Sequence, residues 1–596
     1  TGGSNVAVGY TALASNTTGP YNTVVGYQAG YSNTTGPSNV YIGEAAGYTG
    51  STSAYNVAIG NTALYNSTAS QNTSIGFQSM FANTTGASNV ALGYRALRFN
   101  TTASYNIAVG YQSMYSNTTG DGVGIGVNAL RSNTTGSNNT GLGNNVLYSN
   151  TTGTNNLAAG LDSLRINTTG GYNVALGISA LYSNTTASNN TAVGYEAGYS
   201  NTTGALNVAI GNVSLRSNTT GGSLVAVGHD SLNSNSTGNY NTAIGTSALA
   251  YNTTASDNTA VGYQALYANT TASGSVAVGR ASAASNTTGV NTSVGDYSLN
   301  SNTTGSNNTA LGKQALQLNT TASNNTAVGY QAAYNNTTGA GNTFLGNQAG
   351  YFNTTGLNNT YIGNNSGVNM TTGTKNTILG IFSGNQGGLD IRTSSNNIVL
   401  SDGDGNPYLY KKGNDKWTIV NPISSTWGAN LQHTGATPYG FYIQYPNASP
   451  NNSSSEFIYA ADSSTVRFMV NANGNVLNVN NSYGAISDVK LKENIIDAAS
   501  QWDDIKALTV RKYSMKLDNL DAPNMIGVIA QEVEAAGMGG LVFESPDRDP
   551  NTNEDLGTVT KQVNYSILYM KAVKALQEAM DRIETLEAKV TALENA

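Results

Sequence analysis

The sequence predicts a mainly β protein: a trimeric β-solenoid or β-roll shaft, a small β-rich domain, and an α+β tail ending in a trimeric coiled coil. Three observations carry this. One unit of about 17 residues recurs through residues 1–380, the fixed period of a solenoid. Each unit joins a short strand-like alternation to a cluster of turn residues. An unbroken heptad seam occupies roughly residues 566–596.

The unit reads approximately Asn-Thr/Val-Ala-Val-Gly-Tyr-Gln-Ala-Leu-Tyr-Ser-Asn-Thr-Thr-Gly-Ser-Asn. Its anchoring glycines run from Gly9, Gly26 and Gly43 to Gly380, 23 copies in all, and the interval drops to 16 only before Gly76, Gly126 and Gly295. Slips of one residue and no more predict that turns absorb them while strands hold register. Seventeen residues are too few for a helical hairpin and suit one solenoid coil. Val-Ala-Val-Gly supplies the strand, and Asn-Thr-Thr-Gly a turn whose glycine can take positive φ. At about 4.8 Å per coil the shaft would be roughly 110 Å long. Stacking would align Asn, Thr and Tyr into ladders that satisfy one another from coil to coil. The core is thin, two or three small aliphatics and a leucine per coil, as in Ala12-Leu13, Ala63-Leu64 and Ala315-Leu316. Three chains sharing one axis are therefore expected.

Most copies also hold an N-glycosylation sequon such as Asn16-Thr17-Thr18. Its constant phase within the unit favours a turn ladder over a glycan site. Within 1–380 there are seven acids (Glu44, Asp121, Asp162, Glu196, Asp230, Asp257, Asp296) and eight bases. Carboxylates so scattered do not resemble a glycosidase pair, and a nearly neutral shaft is a poor partner for nucleic acid. Its tyrosines either contact sugars or brace the coils. No apolar run reaches the length of a membrane helix, so no membrane insertion is expected. The chain starts at Thr1 without methionine, and an attachment region that docks on other proteins is expected upstream.

Residues 381–486 break the period. Asn397-Ile398-Val399-Leu400 and Thr465-Val466-Arg467-Phe468-Met469-Val470 read as strands. Trp417, Trp427, Tyr439, Tyr442 and Tyr445 are candidate receptor contacts, since exposed Trp and Tyr are favoured anchors; packing of a small β domain is the alternative for the tryptophans. Asp402-Gly403-Asp404-Gly405-Asn406 looks like the start of a calcium loop. Gly413 stands where the loop would need its glutamate, so a β-turn is expected and no metal or cofactor is assigned.

The tail, 487–596, opens with Ser487-Asp488-Val489-Lys490-Leu491-Lys492-Glu493-Asn494-Ile495. A serine five residues from a lysine could form a nucleophile and base, or simply mark a strand-to-helix junction with solvated lysines. The chain has no cysteine, and both histidines (His229, His433) precede the tail, so thiol and Ser-His-Asp chemistry within it are excluded. Downstream come Met525-Ile526-Gly527-Val528-Ile529-Ala530-Gln531-Glu532-Val533-Glu534, then Val563-Asn564-Tyr565, then the heptad helix. Its seam includes Leu576, Ala579, Ile583, Leu586, Val590 and Leu593.

These motifs, in this order, resemble the endosialidase-type intramolecular chaperone found at the C-terminus of many phage tail fibres and tailspikes. The resemblance implies a trimeric domain that assembles the fibre and then cuts itself off between Ile486 and Ser487. Ser487 would be the nucleophile and Lys492 the general base; arginine is frequent in the family where Lys490 stands. The shaft segments Asn5-Val6-Ala7-Val8-Gly9 and Asn56-Val57-Ala58-Ile59-Gly60 are similar to the head repeats of trimeric autotransporter adhesins, although the 17-residue period and the NTTG turn depart from them. Together the resemblances imply a homotrimeric tail fibre of a phage virion that attaches to a glycan or protein receptor on the host cell. The alternatives are a bacterial cell-surface adhesin, extracellular, and a polysaccharide-degrading tailspike. No external substrate is expected for the chaperone.

Overall fold

The computed structural model describes residues 2–413, 417–419, 456–461, 466–471, 476–478, 494–513, 525–548 and 555–596. The chain divides into two compact units, Thr1–Asn430 and Leu431–Ala596.

In the first unit, 23 strands of three or four residues, β1 (Val6–Val8) through β23 (Thr377–Leu379), form one parallel ladder, one strand per coil. Register is 17 residues, as between β11 (Val174–Leu176) and β12 (Thr191–Val193), where Ala175 faces Ala192. At the three short intervals the offset is 16 (Val57↔Thr73, Ile107↔Val123, Val276↔Thr292), and the strands still pair residue for residue. The turns do absorb the slips. Past Gly380 a short antiparallel pair, β24 (Asn385–Gln386) and β25 (Leu389–Asp390), precedes one further parallel rung of the ladder, β26 (Ile398–Ser401) on β23. The ladder then reverses through β27 (Pro407–Lys411) and β28 (Trp417–Ile419), both antiparallel.

The anchoring glycines set the spacing. Gly177 has φ of 142°, and a Cβ there would lie 2.3 Å from the carbonyl oxygen of Gly194. Backbone rests on backbone at this column, and no side chain fits between.

Inside each coil the centre of the strand and the Ala-Leu pair of the following turn are buried, as in Ala58 with Ala63 and Leu64, or Ala310 with Ala315 and Leu316. The leucine takes left-handed backbone, φ of 53° at Leu64 and 51° at Leu316, which turns its side chain inward at a local steric cost. Where the strand carries a ring instead of alanine, this leucine is glycine: a Cβ on Gly47 would be 2.5 Å from the Tyr41 ring, and one on Gly367 2.6 Å from Tyr361. Volume is traded across the core within single coils.

The remaining interior is amide. Asn150 Nδ2 donates to Asn133 Oδ1 (2.8 Å) and to the Gly153 carbonyl (3.0 Å), and Asn167 repeats the pattern on Asn150 and Gly170. A second column uses backbone donors: the Asn156 N–H meets Asn139 Oδ1 and the Asn173 N–H meets Asn156 Oδ1, each at 3.0 Å. The first column consists of sequon asparagines. Apart from Asn16 in the first coil, they are fully buried with their amide nitrogens engaged, as the turn-ladder reading expects. Outside, Thr151 Oγ donates to the Thr168 carbonyl (3.1 Å), and Tyr31, Tyr48 and Tyr65 stack at 5.2 and 4.9 Å.

Each coil closes its own core within the single chain, because stacked amides occupy the volume that aliphatic side chains leave. The short loop Asp402–Asn406 is a β-turn, as expected, with Asp402 Oδ1 accepting from the Asp404 and Asn406 N–H groups (3.0 and 2.8 Å).

The second unit contains a three-stranded antiparallel sheet, β29 (Glu456–Ala461), β30 (Val466–Asn471) and β31 (Val476–Asn478). Then follow α1 (Trp502–Ala507), the pair β32 (Arg511–Tyr513) and β33 (Met525–Gly527), α2 (Ala530–Ala535), the pair β34 (Val542–Arg548) and β35 (Asp555–Val563), and α3 (Tyr565–Glu594).

Gly177→Ala should open the stack locally, at a cost of roughly 1–3 kcal/mol for strained backbone. Amide exchange at Thr191–Val193 should accelerate; unchanged protection would mean the column tolerates a methyl group.

Candidate functional site

In the second unit two of the tail's motifs, Gly527–Glu534 and Val563-Asn564-Tyr565, meet. The Gly527–Glu534 segment leaves β33 and enters α2, so Val528, Ala530 and Val533 turn inward. There Val528 and Val533 pack with Met538, Leu541 and Leu568. Asn564 caps α3, its Oδ1 accepting from the Ile567 N–H (3.4 Å). Tyr565, next in sequence, reaches back so that its hydroxyl accepts from the Val528 N–H at 3.1 Å. A Cβ on Gly527 would lie 2.6 Å from that hydroxyl and 3.0 Å from that of Tyr513. The glycine is thus the space in which two tyrosine hydroxyls approach the strand end. Burial pushes the Tyr513 hydroxyl pKa up, with Tyr565 adding to the effect.

Charged pairs frame this centre. Arg511 binds both carboxylate oxygens of Glu532 (2.8–3.1 Å), and Lys561 bridges Glu534 (2.7 Å) and Glu544 (3.3 Å). The Glu534 and Glu544 carboxylates hold the Lys561 ammonium above its ordinary pKa. Such exposed pairs add little stability individually, but they fix the orientation of α2 against both hairpins.

Helix α1 lies on α3. Lys571 binds Asp504 at 2.6 Å, and Glu578 accepts from the Ser500 hydroxyl (2.7 Å) and the Gln501 N–H (3.0 Å). These bonds hold the Glu578 carboxyl below the ordinary glutamate value, the Ser500 hydroxyl contributing most. Trp502, Ile505, Ala572, Ala575, Leu576 and Ala579 line an apolar groove between the two helices, and the Arg582 guanidinium sits 4.6 Å from the Trp502 ring.

The predicted seam of α3 touches this packing only at its start, where Leu576 and Ala579 edge the groove with α1, and is otherwise left open. Leu568 and Ala575 are buried on one side, while Leu576, Ile583, Leu586, Val590 and Leu593 are all at least half exposed. Ala579 is partly covered. A 30-residue helix with an uncovered heptad seam is a surface for other helices.

The other predicted site residues fall elsewhere. Ile486, Ser487 and Lys492 lie outside the described residues, as do Trp427, Tyr439, Tyr442 and Tyr445. Trp417 opens β28, its backbone paired with Lys411. Among the described residues no group of three or more His, Asp or Glu side chains could hold a metal ion, and no helix is long and apolar enough to cross a membrane. The approach of Tyr565 to Gly527 and Val528 was not anticipated. A tyrosine directly after a helix cap, with a glycine closing a strand upstream, is the only trace it leaves in the sequence.

The model of the family described as the chaperone of endosialidase matches residues 487–542, from the Ser487 motif through α2 to the start of β34. No curated protein and no solved structure matched the chain. The chain thus joins a β-solenoid of 23 coils to a C-terminal segment similar to the endosialidase chaperone.

Tyr565→Phe leaves the buried Val528 N–H without its acceptor, at a cost of about 1–3 kcal/mol. Thermal unfolding of the second unit should shift downward, with faster exchange of the Val528 amide.

Proposed function

We propose that this chain is the shaft and assembly segment of a homotrimeric host-attachment fibre of the phage tail-fibre type. The observation that carries the reading is the order of parts: a 23-coil rod followed by a segment similar to the chaperone of endosialidase. On this reading residues 487–596 bring three chains together and are then released by cleavage after Ile486, with Ser487 as nucleophile and Lys492 as base. Receptor contact falls in 381–486, at Trp417, Trp427, Tyr439, Tyr442 and Tyr445, and the fibre docks on other tail proteins.

Two surfaces support association of three chains. One is the α3 seam. The other is the outer face of the shaft ladder, where the residue before each anchoring glycine is Val, Ile or Leu in every coil except that of Ala159. None of these side chains is buried, and Leu92, Ile125, Leu142 and Leu345 are each 40–45% exposed. An apolar stripe running the length of a shaft is unusual for a surface facing water. Its period and length are those of another copy of the same chain, lying parallel and in register.

Expressed protein should separate into two pieces at Ile486, and Ser487→Ala or Lys492→Ala should each give one intact band on a denaturing gel. Continued cutting in both variants would remove the dyad. The absence of cysteine makes the interface directly testable. Val193→Cys should give covalent dimers with a short bis-maleimide, whereas Thr203→Cys, in an NTTG turn, should not. Exclusive monomer from Val193→Cys, with a sedimentation mass of one chain, would refute assembly through this face.

A further inference from the structure

Five residues after each anchoring glycine, the coils present a column of half-buried side chains that changes character between Phe81 and Tyr182. Here rings and guanidinium groups alternate, coil by coil. The Arg131 guanidinium carbon lies 5.5 Å from the Tyr115 ring and 5.4 Å from the Tyr148 ring, and that of Arg165 lies 5.9 Å from Tyr148 and 5.6 Å from Tyr182. Each arginine also donates from Nη1 to the hydroxyl of the tyrosine one coil further on: Arg98 to Tyr115 (3.2 Å), Arg131 to Tyr148 (3.0 Å) and Arg165 to Tyr182 (2.6 Å). Three Arg–Tyr couples therefore repeat at two-coil intervals, about 9.6 Å apart.

The couples are charged and only partly satisfied. Among the described residues no carboxylate lies within 4 Å of Arg98 or Arg131, while Arg165 has Asp162 at 3.5 Å. Between residues 45 and 161 the sequence holds a single acid, Asp121, against Arg95, Arg98 and Arg131. A tyrosine hydroxyl that accepts from a guanidinium keeps its own proton to donate outward. Stacking between rings also holds the arginines in place, which lowers the entropy a ligand must offset.

We infer that the Arg98–Tyr182 column is a binding strip for an extended acidic polysaccharide carrying one carboxylate on every second sugar. A guanidinium beside a hydroxyl donor is a carboxylate site, and one sugar of an extended chain advances about as far as one coil, so alternate sugars meet successive couples. Nucleic acid fits less well. Its phosphates follow at about 3.4 Å of rise along each duplex strand, and the ring faces that would stack on unpaired bases are already covered by their neighbours in the column. The strip goes beyond the attachment reading, which puts receptor contact in 381–486, and it needs neither cleavage nor trimerisation.

The full chain should be titrated by calorimetry with a hyaluronan decasaccharide, with neutral dextran of equal length and a single-stranded DNA oligomer as comparators. Hyaluronan should bind, more weakly as salt is raised. The Tyr115→Phe/Tyr148→Phe/Tyr182→Phe variant keeps every ring and should bind about tenfold more weakly or worse. The Arg98→Gln/Arg131→Gln/Arg165→Gln variant should lose binding. Should the arginine variant fold poorly, the tyrosine variant decides alone. No binding by the parent chain, unchanged affinity in the tyrosine variant, or dextran or DNA binding as tightly as hyaluronan would each overturn the proposal.

Discussion

Backbone resting on backbone at the glycine column is the constraint from which the rest of the shaft follows. Because a Cβ at Gly177 would fall 2.3 Å from the Gly194 carbonyl, and the same holds at Gly26, Gly93 or Gly312 within a few tenths of an ångström, successive coils stand at strand spacing with no freedom to slide. Each residue is then set directly above its counterpart 17 positions earlier. That spacing suits a hydrogen bond between like amides and a stack between like rings. It is also why a coil may lose one residue in a turn but never in the strand or at the glycine.

The same constraint explains how a chain this polar holds a core. An isolated buried asparagine carries a large desolvation penalty. In the sequon column, each amide donates to the one before it and accepts from the one after, so a run of them satisfies its own members. Asn133, Asn150, Asn167 and Asn184 are fully buried on these terms. Leucine and alanine fill only the arc opposite. The interior is thus specified by repetition rather than by jigsaw packing, with Gly taking the place of Leu beside the rings of Tyr41 and Tyr361.

The period, the slips, the strand position and the Ala-Leu core pairs were legible in the sequence because each is a property of one unit. What escaped were properties of neighbours. Val-Ala-Val read as a strand, but alternation alone does not say which face turns inward; the answer, alanine in and the branched residues out, depends on the close approach of the next coil. The amide columns hid the fact that a single chain could complete its core. The alternation of Arg98, Tyr115, Arg131, Tyr148, Arg165 and Tyr182 is invisible at one-coil period and becomes a pattern only at two. In the tail, the motifs around Gly527 and Tyr565 could be recognised as motifs, but their contact across 37 residues belongs to the fold.

Repetition that stabilises the finished rod also endangers its assembly. In the proposed assembly, shifting one chain against another by a whole coil exchanges one small or branched aliphatic residue for another along the outer stripe at little cost per rung, so the shaft would not choose its own partner register. The shortened coils before Gly76, Gly126 and Gly295 penalise such a shift at only three places. The second unit has no such degeneracy: the ion pairs of Arg511 and Lys561, the Tyr565 contact and the heptad seam each occur once. On the proposed reading, register is therefore set where the sequence is unique and propagated into the region where it is not. A segment with that task has to come together before the coils stack, and it becomes dispensable once they have.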